Sequence, residues 1–226
     1  MTATLVVNEW FGPTVQGEGP SAGRRCVFLR LGRCNQSCHW CDEKQTWDWD
    51  HYDEGAELHE FEVEDVLEGL DATGVDMVVI TGGEPLLQQQ ALEVLLCRVK
   101  ERRWRVEVET AGTIAPTLDV DQWNVSPKLA NSGNALQRRY KPDVLRAFEA
   151  TGRAIFKFVV CEVTDLDEVA AIVDDCALTD VWIMPEGTSA EVLERRTAEL
   201  ADEVLRRGWN LTTRLHILIW GDRRGV

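Results

Sequence analysis

The sequence predicts an α/β fold, namely an open, partial parallel β/α barrel of about six strands. Short apolar, β-branched segments alternate with segments of helical periodicity, which is typical of right-handed βαβ units and a parallel sheet. No linker, repeat or low-complexity segment interrupts the 226 residues, so we expect a single domain over residues 1–226. About six strands are too few for a closed eight-stranded barrel, and an open doubly wound sheet is the main alternative.

The individual elements follow from this alternation, in order along the chain. Arg25–Leu31 is predicted to be a strand, and Met77–Thr81 is a short β-branched run that is typical of a strand buried on both faces. The other predicted strands are Arg105–Glu109, Trp123–Val125, Ala154–Val160, Val181–Met184 and Leu215–Trp220. The predicted helices are Val63–Leu70, Leu86–Arg102, Pro142–Ala150, Leu166–Val173 and Ala190–Arg207. The acidic stretch of about residues 48–62 is expected to be a surface insertion.

Composition and charge exclude several classes of protein. The net charge is −15, from 39 acidic and 24 basic residues, which opposes nucleic-acid binding because that needs a basic surface. Met1–Trp10 has neither the basic nor the apolar region of a signal peptide, and no apolar run reaches the roughly 18 residues of a membrane span. The seven cysteines are an odd number, which favours a reducing cytoplasm over a disulfide framework.

The most informative motif is Cys34-x3-Cys38-x2-Cys41, in a loop of residues 32–46 that we call the cluster loop. This spacing lets neighbouring thiolates reach different irons of one cubane cluster, and three ligands leave the fourth iron open. A zinc site is the alternative, but structural zinc takes four ligands. The fourth would have to be His39, Asp42 or a distant cysteine, and His39 is poorly directed because it lies inside the two-residue loop.

Polar and glycine-rich segments follow the predicted parallel strands at their carboxyl ends, where active sites of parallel sheets gather. In order along the chain these segments are the cluster loop, Thr81–Pro85, Glu109–Gly112, Ser126–Lys128 and Met184–Gly187. Five such segments at one edge of a sheet are unlike a chance arrangement. The sequence therefore predicts one site that combines the cluster loop with these strand ends.

The cluster loop, with the aromatic Trp40 before its third cysteine, resembles that of the radical S-adenosylmethionine (SAM) enzymes, as does Gly82-Gly83-Glu84-Pro85. The resemblance implies a [4Fe–4S] cluster on Cys34, Cys38 and Cys41, whose open iron binds SAM and yields a 5′-deoxyadenosyl radical. It also implies a set of residues that hold SAM, namely Trp40, Gly82, Gly83, Glu84, Glu109, Ser126 and Lys128.

A second resemblance is more specific. Phe11–Gly19, Phe28-x-Arg30, Gly32 and Cys41-Asp42 are similar to the 7-carboxy-7-deazaguanine synthase family, and the similarity extends to Gly221. The family implies conversion of 6-carboxy-5,6,7,8-tetrahydropterin to 7-carboxy-7-deazaguanine in the queuosine and 7-deazapurine pathway. Hydrogen is abstracted at C6, the ring contracts, ammonia leaves and SAM is regenerated. The family also implies Mg²⁺, a homodimer and an external electron donor of flavodoxin or ferredoxin type.

The residues expected to bind the pterin are Gln16, Gly17, Glu18, Arg30, Thr81, His216 and Val226. Gln16 and Glu18 suit the donor and acceptor array of a pterin edge, and Arg30 can hold the substrate carboxylate with two parallel hydrogen bonds. His216 has a second interpretation, since a lone histidine in an apolar segment is more often a satisfied core residue.

The chain departs from the family at two positions. Glu43 stands where the family has a hydroxyl residue that ligates Mg²⁺, and Gln36 stands where it favours an apolar residue. Carboxylate oxygen is a good ligand for Mg²⁺, so we hypothesise that Glu43 ligates the metal. Two other functions stay open at this stage: a radical SAM reaction on a related heterocycle or a partner protein, and a non-catalytic metal-binding module.

Overall fold

The computed structural model describes residues 3–226, and within them nine strands form one sheet. The strands are β1 (Thr4–Val15), β2 (Arg25–Leu31), β3 (His59–Glu62), β4 (Met77–Gly82), β5 (Arg105–Thr110), β6 (Gln122–Val125), β7 (Ala154–Val160), β8 (Val181–Pro185) and β9 (Asn210–Leu211). The helices are α1 (Glu54–Glu57), α2 (Val63–Asp71), α3 (Gln89–Glu101), α4 (Leu136–Arg139), α5 (Pro142–Glu149), α6 (Asp165–Cys176), α7 (Ala190–Arg206) and α8 (Leu215–Trp220).

The sheet has the order β3-β1-β2-β4-β5-β6-β7-β8-β9. Every pair from β2 to β9 is parallel, whereas β1 and β3 are added in antiparallel orientation at one edge. Across residues 3–226 no pairing joins β3 to β9, so the barrel is open. The predicted fold class is confirmed, and the six longer parallel strands correspond to six of the seven strands that the sequence predicts.

The apolar core lies between the outer face of the sheet and the helices. Along β7, Phe156 and Phe158 are fully buried in this core. Lys157, which lies between them, points to the inner face of the barrel. Trp123 of β6 packs edge-on against Phe148 of α5, with ring centroids 5.2 Å apart. Each such buried side chain contributes about 1.5–3 kcal/mol to folding. No helix in the described part of the chain is long and apolar enough to cross a membrane.

Two parts of the fold differ from the sequence prediction. Leu215–Trp220 is helix α8, and predicting it as a strand was wrong because a short apolar run has no period that separates the two structures. The acidic stretch of residues 48–62 is more than a surface insertion, since it contains α1 and β3. β3 pairs with β1, a strand that the sequence prediction missed, and so extends the sheet.

Candidate active site

A cavity of about 530 Å³ opens at the carboxyl ends of the parallel strands, which is within the usual size of a small-molecule site. Most of the predicted site residues line it: Gln16, Glu18, Arg30, Cys34, Cys38, Trp40, Cys41, Glu43, Thr81, Gly82, Gly83, Glu109, Ser126, Lys128, His216 and Val226. Gly17 and Glu84 lie behind its wall. The structure therefore brings the predicted segments together at one edge of the sheet.

The three cysteines of the cluster loop are free thiols on one wall of the cavity. Each sulfur accepts a hydrogen bond from an N–H group. The donor to Cys38 Sγ is the Asn134 amide at 3.3 Å, and the donor to Cys41 Sγ is the Trp47 indole at 3.3 Å. The backbone N–H of Gln36 donates to Cys34 Sγ at 3.4 Å. Donors of this kind stabilise thiolates and tune cluster potentials, so the donor set fits an iron–sulfur cluster.

Burial controls the protonation of these thiols. It raises the pKa of Cys34 to about 12 and that of Cys41 to about 11. The thiols of Cys34 and Cys41 are therefore neutral at pH 7, and binding of iron would release their protons. Among residues 3–226 no three His, Cys, Asp or Glu side chains are arranged to hold a single metal ion. A cubane cluster does not require that arrangement, because each thiolate takes a different iron.

His39, the nearest alternative zinc ligand, is directed away from the cavity. Its imidazole lies against Gly133, where an added Cβ would be 1.9 Å from His39 Nε2. Its backbone N–H donates to the Ser132 carbonyl at 3.0 Å, which fixes the loop at that point. The expectation that His39 is poorly placed for the metal of its neighbours agrees with this geometry.

The two glycines after β4 permit a close approach of two backbone segments. A Cβ on Gly83 would lie 2.0 Å from the carbonyl oxygen of Arg33, so only glycine fits against the start of the cluster loop. Gly82 has φ +126°, a conformation that side chains rarely adopt. These glycines therefore bring the end of β4 into direct contact with the residue that precedes Cys34.

Glu84 is buried behind the cavity wall, where its carboxylate joins two loops. Its side chain is fully buried and accepts hydrogen bonds from Thr110 Oγ1 at 2.8 Å, Ala111 N at 2.8 Å and Leu86 N at 3.1 Å. Burial raises the pKa of this carboxyl despite those donors. Glu84 thus ties the loop after β5 to the loop after β4, and the expectation that it binds a SAM ammonium has no support in this geometry.

Glu18 is the most strongly charge-paired residue of the cavity. Its Oε2 forms a short ion pair with Lys157, and its Oε1 is 3.2 Å from Arg214 Nε. Burial would raise the pKa of Glu18, but the two cations outweigh it and hold the pKa well below the usual range of a carboxyl. Glu18 is therefore an anion at every physiological pH. Arg214 also pairs with Asp42, next to Cys41, and so connects Glu18 to the cluster loop.

A hydrogen-bonded group on the adjacent strands continues this polar wall. Glu109 accepts from Thr81 Oγ1 at 2.7 Å and from Gln16 Nε2 at 3.2 Å. The other end of the Gln16 amide accepts from the backbone N–H of Glu18 at 3.2 Å. Lys157 Nζ is 3.9 Å from Glu109 Oε1, so the ammonium lies between two carboxylates. Residues predicted for SAM and for the pterin thus share one network.

Arg30 lines the cavity from β2 and lies between two carboxyl groups. Its Nε is 2.9 Å from Glu9 Oε1, and its NH1 is 2.7 Å from Glu43 Oε1. The guanidinium also stacks over the Phe11 ring, 5.4 Å from the centroid. Burial raises the pKa of Glu43 to about 7, although Arg30 opposes the rise. The second oxygen of Glu43 accepts a short hydrogen bond from Gln45.

The remaining predicted residues lie around the same opening. Lys128 Nζ donates to Ser126 Oγ at 2.9 Å and lies 5.6 Å from the centroid of the Trp40 ring. His216 is on α8, and a Cβ on Gly17 would be 2.0 Å from its Nδ1, which explains the glycine at that position. Burial lowers the pKa of His216, so the imidazole is neutral at pH 7. Val226 lines the cavity with the other residues of the tail.

Sequence reasoning missed Lys157 and Asn134, and gave no role to Arg214. Lys157 had a signal, because it is the only charge in the buried strand Ala154–Val160 and a lone charge there needs a partner. Asn134 had none, because it lies far along the chain from the cysteine that it contacts. Arg214 directly precedes Leu215–Trp220, which was predicted to be a strand but is helix α8. Its place in the cavity was therefore not expected.

Comparisons with known proteins agree with this geometry. A family model described as a 4Fe-4S single cluster domain matches residues 15–129. The 7-carboxy-7-deazaguanine synthase of Pyrobaculum aerophilum is 36% identical over 94% of this chain and 93% of its own length. That of Halobacterium salinarum is 33% identical over 96% of this chain and 91% of its own length. The crystal structure of QueE from Escherichia coli matches with a TM-score of 0.71 and 27% identity, covering 94% of this chain and 95% of that chain.

An open parallel β/α barrel with three cysteines in the loop after its first parallel strand defines the radical SAM class. Both resemblances predicted from the sequence motifs are confirmed by the comparisons. The chain belongs to the 7-carboxy-7-deazaguanine synthase family.

Proposed function

We propose that this protein converts 6-carboxy-5,6,7,8-tetrahydropterin to 7-carboxy-7-deazaguanine and ammonia. The observation that carries the proposal is a single cavity that is lined both by thiols and by a buried carboxylate. Three free thiols form one side, and an obligately ionised carboxylate, Glu18, lies on another. A cluster site alone would fit any enzyme of the class. A buried carboxylate beside it, held by two cations, is a recognition element for a small polar ligand.

Glu18 and Gln16 recognise the pterin ring in this proposal. A carboxylate has about four lone-pair sites, and Lys157 and Arg214 use one on each oxygen of Glu18. The remaining sites can accept hydrogen bonds from the amino group and ring N–H of a pterin. Gln16 is buried, and its bonds to Glu109 and to the Glu18 backbone fix its orientation. The ring is then held in a defined plane, which positions its reacting carbon.

Arg30 binds the substrate carboxylate in this proposal, and a SAM site lies nearer the cluster loop. When bound, the cluster and SAM would supply the radical chemistry that removal of hydrogen from C6 of the pterin requires. Cys34, Cys38 and Cys41 would hold the cluster. The backbone at Gly82 and Gly83, with Ser126, Lys128 and Trp40 behind it, would hold SAM.

Mg²⁺ stays a prediction of the family resemblance. Each oxygen of Glu43 already has one protein partner, Arg30 on one and Gln45 on the other, so the proposal assigns no metal to Glu43. The proposal therefore includes no step that depends on the metal. An external electron donor of flavodoxin or ferredoxin type and a homodimer also belong to the proposal, and the family resemblance supports both. A cytoplasmic location belongs to it as well, and the odd number of cysteines supports it.

The test is an anaerobic assay of reconstituted protein with SAM, dithionite and the pterin, in which products are followed by mass spectrometry. Glu18→Gln keeps the shape but loses the charge, and we expect kcat/KM to fall about 10- to 100-fold, as for loss of a charged hydrogen bond. Glu149→Gln, which removes the charge of a half-buried carboxylate outside the cavity that accepts a hydrogen bond from Thr179, serves as the control and should match the unmodified protein in kcat/KM. Formation of 5′-deoxyadenosine without 7-carboxy-7-deazaguanine would move the substrate to another heterocycle or to a partner protein.

A further inference from the structure

Arg30, the residue expected to hold the substrate carboxylate, already has two carboxylate partners from the protein. Glu9 occupies its Nε at 2.9 Å, and Glu43 occupies its NH1 at 2.7 Å. The Arg30 side chain is only 9% exposed, so these pairs are poorly screened by water. One guanidinium thus pairs with two carboxyl groups before any ligand arrives.

The two carboxylates are not equivalent. Glu9 has a second cationic partner, because Arg224 Nε is 3.1 Å from its other oxygen. Glu43 has no cation other than Arg30 among its contacts in residues 3–226, and its second oxygen accepts from the neutral amide of Gln45. Glu43 also lines the cavity, on the cluster loop. It is therefore the carboxylate that depends on Arg30 and that a ligand would meet.

A substrate carboxylate at Arg30 would add a third carboxyl group around one guanidinium. Like charges at such distances repel strongly where water is scarce. Either Glu43 leaves Arg30, or the ligand binds with an electrostatic penalty. A hydroxyl residue at this position, which the family resemblance implies, would carry no such charge, so the competition depends on the glutamate.

We propose that Glu43 is an internal competitor for Arg30, and that it sets the affinity of the site for carboxylated pterins. Its carboxylate occupies the guanidinium in the free protein and is displaced when the substrate carboxylate binds. Glu43 is in this view a specificity-determining residue and not a metal ligand. The inference rests on the proposed function, because it requires that Arg30 bind the substrate carboxylate.

The test is equilibrium binding by anaerobic calorimetry, with the reconstituted protein and SAM but no reductant, so that no turnover occurs. Two ligands are compared: 6-carboxy-5,6,7,8-tetrahydropterin and the tetrahydropterin that lacks the carboxylate. Each is titrated with EDTA and with saturating Mg²⁺. Glu43→Gln and Glu43→Thr remove the charge, and Glu54→Gln is the matched control, since Glu54 is an exposed partner of Arg33 near the same loop.

We expect both Glu43 variants to bind the carboxylated pterin about tenfold more tightly than the unmodified protein, with or without Mg²⁺. The carboxylate-free ligand should show no gain, and Glu54→Gln should behave as the unmodified protein does. Unchanged or weaker binding, or an equal gain for both ligands, would overturn the inference. So would an affinity that depends on Mg²⁺ in the unmodified protein and loses that dependence in Glu43→Gln, since Glu43 would then be a metal ligand.

The outcomes also separate this inference from the proposed function. If the unmodified protein binds the carboxylated pterin but the Glu43 variants show no gain, only the inference fails. If no variant binds either pterin under any condition, the proposed function fails and the inference with it. Cluster absorbance and thermal unfolding, recorded for every variant, establish that the proteins compared are equally folded and loaded.

Discussion

Replacement of Lys157 by methionine tests whether the cations around Glu18 hold it as a charged recognition group. Lys157 is 5% exposed, and its ammonium pairs with Glu18 and lies 3.9 Å from Glu109. Breaking a buried pair from one side costs about 3–5 kcal/mol, and the lower end applies because Arg214 still faces Glu18. For a chain of this length, about 3 kcal/mol corresponds to a fall in Tm of about 6–12 °C.

The change of this Tm difference with pH provides a second test of the same prediction. In the unmodified protein the pKa of Glu18 lies well below its ordinary value of 4.5, so the charged form contributes its full stability at pH 7 and loses it progressively as the pH falls from about 4.5 towards the lowered pKa. In Lys157→Met, one cation is lost while burial still raises the pKa of Glu18. The carboxyl then protonates at a higher pH, and the difference in Tm between the two proteins should narrow from pH 7 to pH 5.

Thermal unfolding at the two pH values is the measurement. Lys100→Met is the matched control, because Lys100 pairs with Asp119 on the surface and should cost at most about 1 kcal/mol. A fall in Tm for Lys157→Met no larger than that of the control would refute the account of Glu18. So would a Tm difference between Lys157→Met and the unmodified protein that widens from pH 7 to pH 5. The Michaelis constant for the pterin should also rise in Lys157→Met, because its recognition group is no longer fixed.

Further predictions concern the cluster wall. Cys38→Ala should lose the absorbance near 400 nm of the reconstituted protein and all formation of 5′-deoxyadenosine. Its far-ultraviolet circular dichroism spectrum should be unchanged, and retained SAM cleavage would contradict the cluster assignment. Gly83→Ala should fail to retain the cluster, because its Cβ would meet the Arg33 carbonyl at 2.0 Å, and normal iron content would contradict this. Glu84→Ala should lower Tm by about 4–12 °C, since it leaves Thr110 and the backbone N–H of Ala111 without their acceptor in the interior; a Tm within 2 °C of the unmodified protein would show that other acceptors replace it.

The parallel part of the fold was predictable because its strands are short, apolar and β-branched. Arg25–Leu31 and Ala154–Val160 form strands over the residues predicted. β1 was missed because Thr4–Val15 mixes polar and apolar residues and contains Gly12-Pro13, a dipeptide that is typical of turns. Such a strand forms because two partners in the sheet satisfy its backbone, and that is information from the whole fold rather than from the segment.

The site was predictable where it follows strand ends and motifs, and unpredictable where it depends on distant contacts. The thiols and the glycines of residues 82 and 83 share one wall as expected. The role of Glu84 was not visible, because two of the groups that donate hydrogen bonds to it, Thr110 Oγ1 and Ala111 N, are placed there by the end of β5 and the loop that follows. The pairing of Glu43 with Arg30 was also not visible, since a carboxylate on a loop can serve a metal or a guanidinium equally well.

The central claim, that this cavity holds the pterin with its C6 facing the radical generated from SAM, is tested most directly by isotope transfer. The reconstituted protein would be reduced with dithionite in the presence of SAM and substrate carrying deuterium at C6, and SAM would be recovered for mass spectrometry. We expect 7-carboxy-7-deazaguanine to accumulate in excess over any loss of SAM, and deuterium to appear in the recovered SAM. Product without deuterium in SAM, or deuterium-free 5′-deoxyadenosine without product, would contradict the account.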